Sequence, residues 1–302
     1  MKAEGQMDAQ ATDDEAKTME EILQEENDHI EKVWPSKPAN ESVVDPPLIS
    51  NSLPADANIS IDRNGKFTLS DKLASLLLHA RSNYDWPNGT GALQSQERVI
   101  HTLTQVRILL RNLDSDSAYS IVVKVSRWAG NNDKAQRALE TADSVSKQKI
   151  LEAILNFFSE KDPSVGLRLL CNLKGISLVI ASKIYRFVLP REGAAVDRHA
   201  SYFTNSLRIS EDAKLNFGTN FRREWSNGRH VTSRLAIYNS RVFEHNFSEY
   251  LENYLLLLKR MADSLNSTGK LYQCMLTKKE EKWTPADIEM AAYFWWAKHG
   301  SR

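Results

Sequence analysis

The helical spacing of apolar residues most strongly constrains what this chain can fold into. From Phe67 onward, apolar side chains recur every three or four residues, and no segment shows the sustained alternation of a half-buried strand. Breaks rich in Gly, Pro, Asn and Asp separate the periodic segments. The pattern predicts an all-α body with helices at about 69–83, 93–111, 115–128, 133–140, 145–158, 165–171, 179–188, 198–207, 233–243, 247–265 and 285–299.

The first 60 residues differ in composition from the rest. They hold 14 acidic and four basic side chains and five prolines, so this segment carries a charge of −10 and the remainder +10. We therefore predict a disordered acidic tail over residues 1–60 and a helical body over residues 61–302. A basic body suits a polyanionic partner. The tail either competes with that partner for the basic surface or only keeps the chain soluble.

Several classes of protein lose support from what the sequence lacks. No apolar stretch approaches the roughly 20 residues needed to cross a bilayer, and the first residues resemble neither a signal nor a transit peptide. The two cysteines, Cys171 and Cys274, are far apart and have no ligand-like spacing, which argues against a disulfide framework or a metal site. Phosphate-loop, dinucleotide-binding and zinc-hydrolase motifs are also absent. We expect no membrane partner and no bound metal of these classes.

Residues 165–188 have the pattern of a helix, a hairpin and a second helix. Gly175 permits a tight turn after the first helix, and the second helix starts at about Leu178. The backbone N–H groups at the start of a helix attract anions, because they have no partner within the helix. Lys174, Arg186 and Arg191 would add positive charge nearby. The segment predicts a phosphate-binding hairpin.

A loop at residues 189–199 follows the second helix and carries Asp197, Arg198 and His199. Asp197 stands directly before the next predicted helix, so its side chain could cap that helix. It could equally supply a carboxylate for chemistry, and one carboxylate can fill both roles.

The hairpin and the Val-Asp-Arg-His sequence about twenty residues later resemble the helix-hairpin-helix superfamily of base-excision DNA glycosylases. The likeness is close over residues 173–202, and the helical frame is most similar to the 8-oxoguanine DNA glycosylase-like fold. The resemblance implies an enzyme that flips a damaged or modified base out of duplex DNA and cleaves its N-glycosidic bond. Asp197 falls on the family's catalytic aspartate, and Gly175, Ile176 and Ser177 fall on its phosphate-binding hairpin.

The resemblance also implies the binding partners. Double-stranded DNA would be bound by a monomer without a cofactor, although a monovalent cation could sit at the hairpin. The expected location is the cytoplasm, in association with the nucleoid, or the nucleus in a eukaryote. The DNA-binding residues that we expect are Lys174, Gly175, Ile176, Ser177, Arg186, Arg191, Arg198 and His199.

The sequence departs from the family at the residue that lyase-active members use as nucleophile. Those members have a lysine at the second residue of the second helix, where this chain has Val179. Lys183 lies four positions later, on the same helical face and roughly 6 Å further along the axis. Three roles remain open for Lys183: a displaced nucleophile with apurinic-site lyase activity, a residue that reads the base, or a surface lysine that contacts solvent or a phosphate.

Base flipping requires aromatic or wedge residues, and two segments could provide them. The last predicted helix has four consecutive rings, Tyr293 to Trp296, of which Phe294 or Trp295 is our candidate for the base pocket. The loop after the first predicted helix offers Trp86 or Asn88 as a wedge. Packing in the core is the alternative for each ring.

Two functions other than catalysis stay open. A helix-hairpin-helix protein that has lost its nucleophile could bind DNA without acting on it. A helical module that binds other proteins could carry a hairpin by coincidence, and it would show no salt-dependent affinity for DNA.

Overall fold

The computed structural model describes residues 53–84, 92–109, 113–129, 133–159, 162–209, 224–226, 229–231, 241–274 and 277–299. Helices form most of these ranges, which confirms the predicted all-α class. The helices are α1 (Asp71–Ser82), α2 (Ala92–Leu109), α3 (Ser115–Trp128), α4 (Asp133–Glu140), α5 (Ser144–Ser159), α6 (Ser164–Cys171), α7 (Leu178–Val188), α8 (Arg198–Ser206), α9 (Arg241–Ser248), α10 (Leu256–Ser267) and α11 (Pro285–His299). Within the described ranges, no helix has the length and apolar character needed to cross a membrane.

Short strands are present where the sequence predicted none. β1 (Asn58–Ile61) pairs antiparallel with β2 (Phe67–Leu69) and parallel with β3 (Arg208–Ile209). Two further antiparallel pairs are β4 (Glu224–Ser226) with β5 (Arg229–Val231), and β6 (Tyr272–Gln273) with β7 (Glu280–Glu281). Strands of two to four residues are too short to give a detectable alternation of apolar and polar residues, which explains why the sequence missed them.

The folded body begins before the predicted boundary at residue 61. Leu53 and Ala57 are buried, and Asn58 starts β1. The backbone N–H of Asn58 donates a hydrogen bond to Oγ of Ser70, which also caps α1 by accepting one from Leu73. The last residues of the predicted tail therefore belong to the fold, whereas residues 1–52 lie outside the described residues.

The sequence predicted a break between a helix that ends at residue 243 and one that starts at residue 247, and this prediction was wrong. α9 continues into a π-helix (Glu249–Leu255), which leads directly into α10. Phe243, Phe247, Tyr250 and Tyr254 are all buried along this continuous segment. Packing of this row of rings in the core keeps the segment helical across the predicted gap.

The helices that carry the candidate site lie at the centre of the packing. α7 contacts α2, α3 and α6, and most of its side chains are buried. α11 packs against α1, α8 and α10. Both helices are therefore enclosed by neighbours over much of their length.

Thr284 and Asp287 have the Thr-x-x-Asp spacing that predicts a capping box from the sequence, and the start of α11 has that arrangement. The backbone N–H and the hydroxyl of Thr284 both donate to Oδ2 of Asp287, at 2.9 and 2.6 Å. The backbone N–H of Asp287 donates back to Oγ1 of Thr284 at 3.3 Å. These reciprocal bonds satisfy N–H groups that a helix start would otherwise leave unpaired.

Asp287 also joins α11 to α1 through a buried ion pair. Nε of Arg81 lies 2.8 Å from Oδ1 of Asp287, and both side chains are almost fully buried. The hydroxyl of Tyr272 donates to the same oxygen at 2.8 Å, and the Arg81 guanidinium lies over the Tyr272 ring. Removal of one partner would leave the other charge buried without compensation.

We expect Arg81→Met to lower the free energy of unfolding by about 3–5 kcal/mol, because the buried Asp287 carboxyl loses its counter-ion. The matched control is Arg127→Met, which removes a partly exposed ion pair with Glu140 and should cost less than about 1 kcal/mol. Urea denaturation of both variants measures the difference. Equal losses in the two variants would contradict the assignment.

Candidate functional site

The two helices and the tight turn predicted at residues 165–188 are present. α6 ends at Cys171, and α7 starts at Leu178. Between them, Gly175 has a φ of 94°, in the left-handed region that other residues rarely adopt. The N–H of Ile176 donates to the Leu173 carbonyl at 3.1 Å and closes the turn.

The side chains of the hairpin divide between the core and the surface. Ile176 is buried and anchors the turn, whereas Lys174 is exposed. Ser177 caps α7, because its Oγ accepts a hydrogen bond from the N–H of Ile180 at 3.4 Å. Arg191, beyond the end of α7, is also exposed. The hairpin thus presents a positive side chain and polar backbone to solvent while Ile176 holds it to the protein.

Asp197 caps the helix that follows the loop. Its Oδ1 accepts a hydrogen bond from the N–H of Ala200 at 2.9 Å, and its backbone is extended. Oδ2 makes no hydrogen bond to any described residue, and the side chain is half-buried. The capping role considered from the sequence is confirmed, and it leaves one carboxylate oxygen available.

The loop before Asp197 is tied to α7 by a serine. The hydroxyl of Ser182 donates to the Val179 carbonyl at 3.0 Å and accepts a hydrogen bond from the N–H of Val196 at 3.0 Å. Ser182 is fully buried. The residue next to Asp197 is therefore fixed to the second helix of the hairpin.

Two tyrosines of the π-helix also hold this loop. The hydroxyl of Tyr250 donates to the Ala194 carbonyl, and that of Tyr254 donates to the Ala195 carbonyl, each at 2.7 Å. Both rings are completely buried. Sequence reasoning missed these residues, because tyrosines more than fifty positions away give no local signal that they contact the loop. Three consecutive residues before Asp197 are thus held by side chains.

Lys183 lies on α7 one turn after Val179 and is partly buried. Its Nζ is 4.9 Å from the centre of the Trp128 ring, within the range of a cation–π contact. The charges of Lys183 and Asp197 both shift the pKa of Glu289 on α11, so the two candidate catalytic residues share a neighbourhood with that carboxyl.

The prediction that Arg186 binds DNA was wrong. The side chain is 4% exposed, with Nη2 2.6 Å from Oε1 of Glu97 and Nε 3.0 Å from Oε2 of Glu289. Burial lowers the pKa of Arg186, but the carboxyl groups of Glu289 and Glu97 raise it by more. The guanidinium therefore stays charged. Position 186 lies on the same face of α7 as the buried Ser182, and this face turns away from solvent.

Among the rings of α11, the two predicted for the base pocket pack against other rings of the protein, whereas Tyr293 is exposed. Phe294 packs against Tyr84, and Trp295 packs against Phe203. Tyr293 is exposed, and its ring meets that of His199 edge to face with centroids 5.2 Å apart. The sequence could not distinguish consecutive rings, because which of them faces the neighbouring helix depends on the rotation of α11.

Three predicted residues remain without a structural description. Trp86 and Asn88 lie outside the described residues, and of Arg198 only the backbone at the start of α8 is described. No cluster of His, Cys, Asp and Glu that could hold a metal ion occurs within the described ranges. The monovalent cation at the hairpin stays a prediction.

Comparisons of the chain with family models, with curated proteins and with solved structures find no match.

We expect Tyr254→Phe to lower the free energy of unfolding by about 1–3 kcal/mol, because the buried Ala195 carbonyl loses its donor. The amide of Val196 should exchange with solvent faster, since the loop is then held less firmly; NMR-detected hydrogen exchange measures this. The control is Tyr119→Phe, whose hydroxyl donates to the Leu139 carbonyl outside the loop. It should leave Val196 exchange unchanged, and unchanged exchange in Tyr254→Phe would disprove the tether.

Proposed function

We propose that this protein is a helix-hairpin-helix DNA glycosylase that removes a damaged or modified base from duplex DNA. The observation that carries the proposal is the fixed position of Asp197. It starts α8 on a loop that is bonded to the second helix of the hairpin and to two buried tyrosines. A carboxylate held in this way, one helix away from a turn suited to phosphate, is the arrangement that such a reaction needs.

DNA binding is supported by the hairpin. The exposed Lys174 and the N-terminal end of α7 offer a positive side chain and backbone donors to a backbone phosphate. Arg191, exposed beyond the end of α7, adds a second positive side chain. Contacts to phosphate carry no sequence information, so they suit an enzyme that must search DNA for a rare base. The affinity for DNA should therefore fall steeply as the salt concentration rises.

The proposed reaction uses Asp197 as the stabilising charge. The bond from C1′ to the base nitrogen breaks, and its electron pair leaves with the base. Positive charge then develops on C1′ and the ring oxygen of the sugar, and a carboxylate fixed nearby lowers the energy of that state. A nucleophile adds at C1′ and gives up a proton. Water serves in a simple hydrolase, and the amine of Lys183 serves if strand cleavage follows.

Recognition of the flipped base falls to α11 and α8 in this proposal. The exposed ring of Tyr293 offers a stacking surface, and its partner His199 lies two residues from Asp197. Stacking offsets part of the few kcal/mol that flipping costs. The shape of this region, and not the hairpin, would select the base.

A second candidate is a DNA-binding protein without catalysis, which the valine at position 179 favours. Such a protein would use the hairpin for binding, and the tethers of the Asp197 loop would serve only to stabilise the fold. The two candidates differ in whether base is released.

We expect Asp197→Asn to slow base release by about 100-fold or more, because the variant loses the charge that the transition state needs. Asparagine caps helices as well as aspartate does, so α8 should keep its start. Single-turnover assays on duplexes that contain 8-oxoguanine, uracil or alkylated bases measure the rate, and a binding titration should give an affinity within a few-fold of wild type.

The control is Asp116→Asn, which alters a surface carboxylate paired with Lys147 and should keep the wild-type rate. If the wild-type protein binds duplexes but releases none of these bases, the non-catalytic candidate is favoured. A wild-type rate in Asp197→Asn would exclude Asp197 as the catalytic residue.

Lys183 decides whether the enzyme also cleaves the strand. If its amine attacks C1′, borohydride added during the reaction reduces the resulting imine and traps a covalent protein–DNA adduct. We expect Lys183→Gln to lose that adduct and Lys174→Gln to keep it, because Lys174 lies on the exposed hairpin. Electrophoresis under denaturing conditions detects the adduct. If the wild-type protein releases the base but no covalent adduct is trapped, water is the group that attacks C1′.

A further inference from the structure

Four buried side chains from different elements meet beside the proposed site. Arg186 on α7 lies between Glu97 on α2 and Glu289 on α11, and Tyr84, which follows α1, donates a hydrogen bond to Glu97 at 2.8 Å. We call these residues the Arg186 cluster. Each of the four is no more than 8% exposed, so their charges are not screened by bulk water.

The cluster contains one cation and two carboxyl groups. If both carboxyl groups were ionised, an uncompensated negative charge would be buried, which is costly. Glu97 accepts short hydrogen bonds from Arg186 and Tyr84, as an ionised carboxylate does. Oε2 of Glu289 lies 3.0 Å from Nε of Arg186 but has no hydrogen bond among the described residues. The geometry therefore favours Glu289 as the group that holds a proton.

The electrostatics agree with the geometry. Burial raises the pKa of the Glu289 carboxyl to about 8, and the negative charges of Asp197 and Glu97 act in the same direction. The positive charges of Arg186 and Lys183 oppose this rise without cancelling it. Glu289 is thus electrostatically coupled to both residues proposed to act on the sugar.

We propose that Glu289 is a positioning residue that holds a proton at neutral pH and so leaves Asp197 as the negative charge beside the flipped nucleotide. A second anion there would repel Asp197 and attract the ammonium group of Lys183, which would move both groups from their positions. The role in the reaction rests on the proposed function, whereas the buried proton does not.

Five other buried ionisable groups of this interior region do not change charge near neutral pH. Burial raises the pKa of three tyrosines, Tyr84, Tyr250 and Tyr254, well above the usual value, so these side chains stay neutral. Burial lowers the pKa of His101 on α2 to about 4, so its ring is also neutral. Arg186 stays charged throughout. Among these groups of the protein interior, Glu289 is the one that titrates near pH 8.

The first test measures the proton without any assay of activity. Because the pKa of Glu289 is raised in the folded state, its contribution to stability is full below the usual pKa near 4.5 and is lost as the pH rises through about 8. We expect the melting temperature of wild type, relative to Glu289→Gln, to fall between pH 5 and pH 8.5. The control Glu244→Gln removes an exposed partner of Arg168 and should show no such fall.

The second test measures the consequence for the reaction. A group with a pKa of about 8 is mostly protonated at pH 7 and mostly ionised at pH 9, so single-turnover base release by wild type should fall by about tenfold over that range. In Glu289→Gln, which cannot ionise, the ratio of the rates at pH 7 and pH 9 should approach one. Glu244→Gln should keep the wild-type ratio.

A third variant keeps the proposal testable if Glu289→Gln does not fold. Glu97→Gln removes the other carboxyl group, so Glu289 becomes the counter-ion of Arg186 and should ionise at lower pH. We expect both the fall in melting temperature and the fall in rate to move to lower pH in this variant.

Two outcomes would overturn the proposal, and they have different meanings. Parallel melting curves of wild type and Glu289→Gln from pH 5 to pH 8.5 would show that Glu289 holds no proton. A stability difference without a difference in the rate ratio would show a buried proton that has no part in positioning. If wild type releases no base from any duplex, the proposed function fails while the stability test still stands.

Discussion

Two buried arginines fix the last helix of the body against the helices around it. Arg81 pairs with Asp287, and Arg186 contacts Glu289 two residues later on the same helix. In a dry interior, such contacts add little net stability, but a change of register that breaks them leaves buried polar groups without partners. The rotation of α11 about its axis and its position along that axis are therefore tightly specified. The positions of Tyr293 and Glu289 relative to α8 follow from that constraint.

The Asp197 loop is held by the same principle, with hydrogen bonds in place of ion pairs. Ser182, Tyr250 and Tyr254 reach it from α7 and the π-helix. Each bond satisfies a buried backbone group. Breaking the bond would leave that group buried without a partner, which costs free energy. A loop tied in this way keeps a carboxylate in one orientation before any ligand arrives. This preorganisation is what an electrostatic role for Asp197 requires, because the protein then pays no reorganisation energy during the reaction.

The sequence predicted the features that depend on neighbours along the chain. The hairpin at Gly175 and the cap at Thr284 need only a few adjacent residues, and both are present. Arg186 was misjudged because arginine is usually exposed, while its partner Glu97 lies 89 positions away. The tethers from Tyr250 and Tyr254 span 56 and 59 positions and were equally invisible. Residues that face the site could be found from local patterns, whereas those that hold the site in place could not.

The displaced lysine links the chemistry to the packing. The Lys183 ammonium lies 4.9 Å from the centre of the Trp128 ring, in a cation–π contact. An amine that attacks the sugar must be neutral, so a covalent route requires Lys183 to leave the ring when DNA binds. A route through water allows it to stay, with its charge balancing Asp197 or contacting the base. The two mechanisms therefore differ in the position of one side chain, and the aromatic ring on α3 determines how easily that side chain moves.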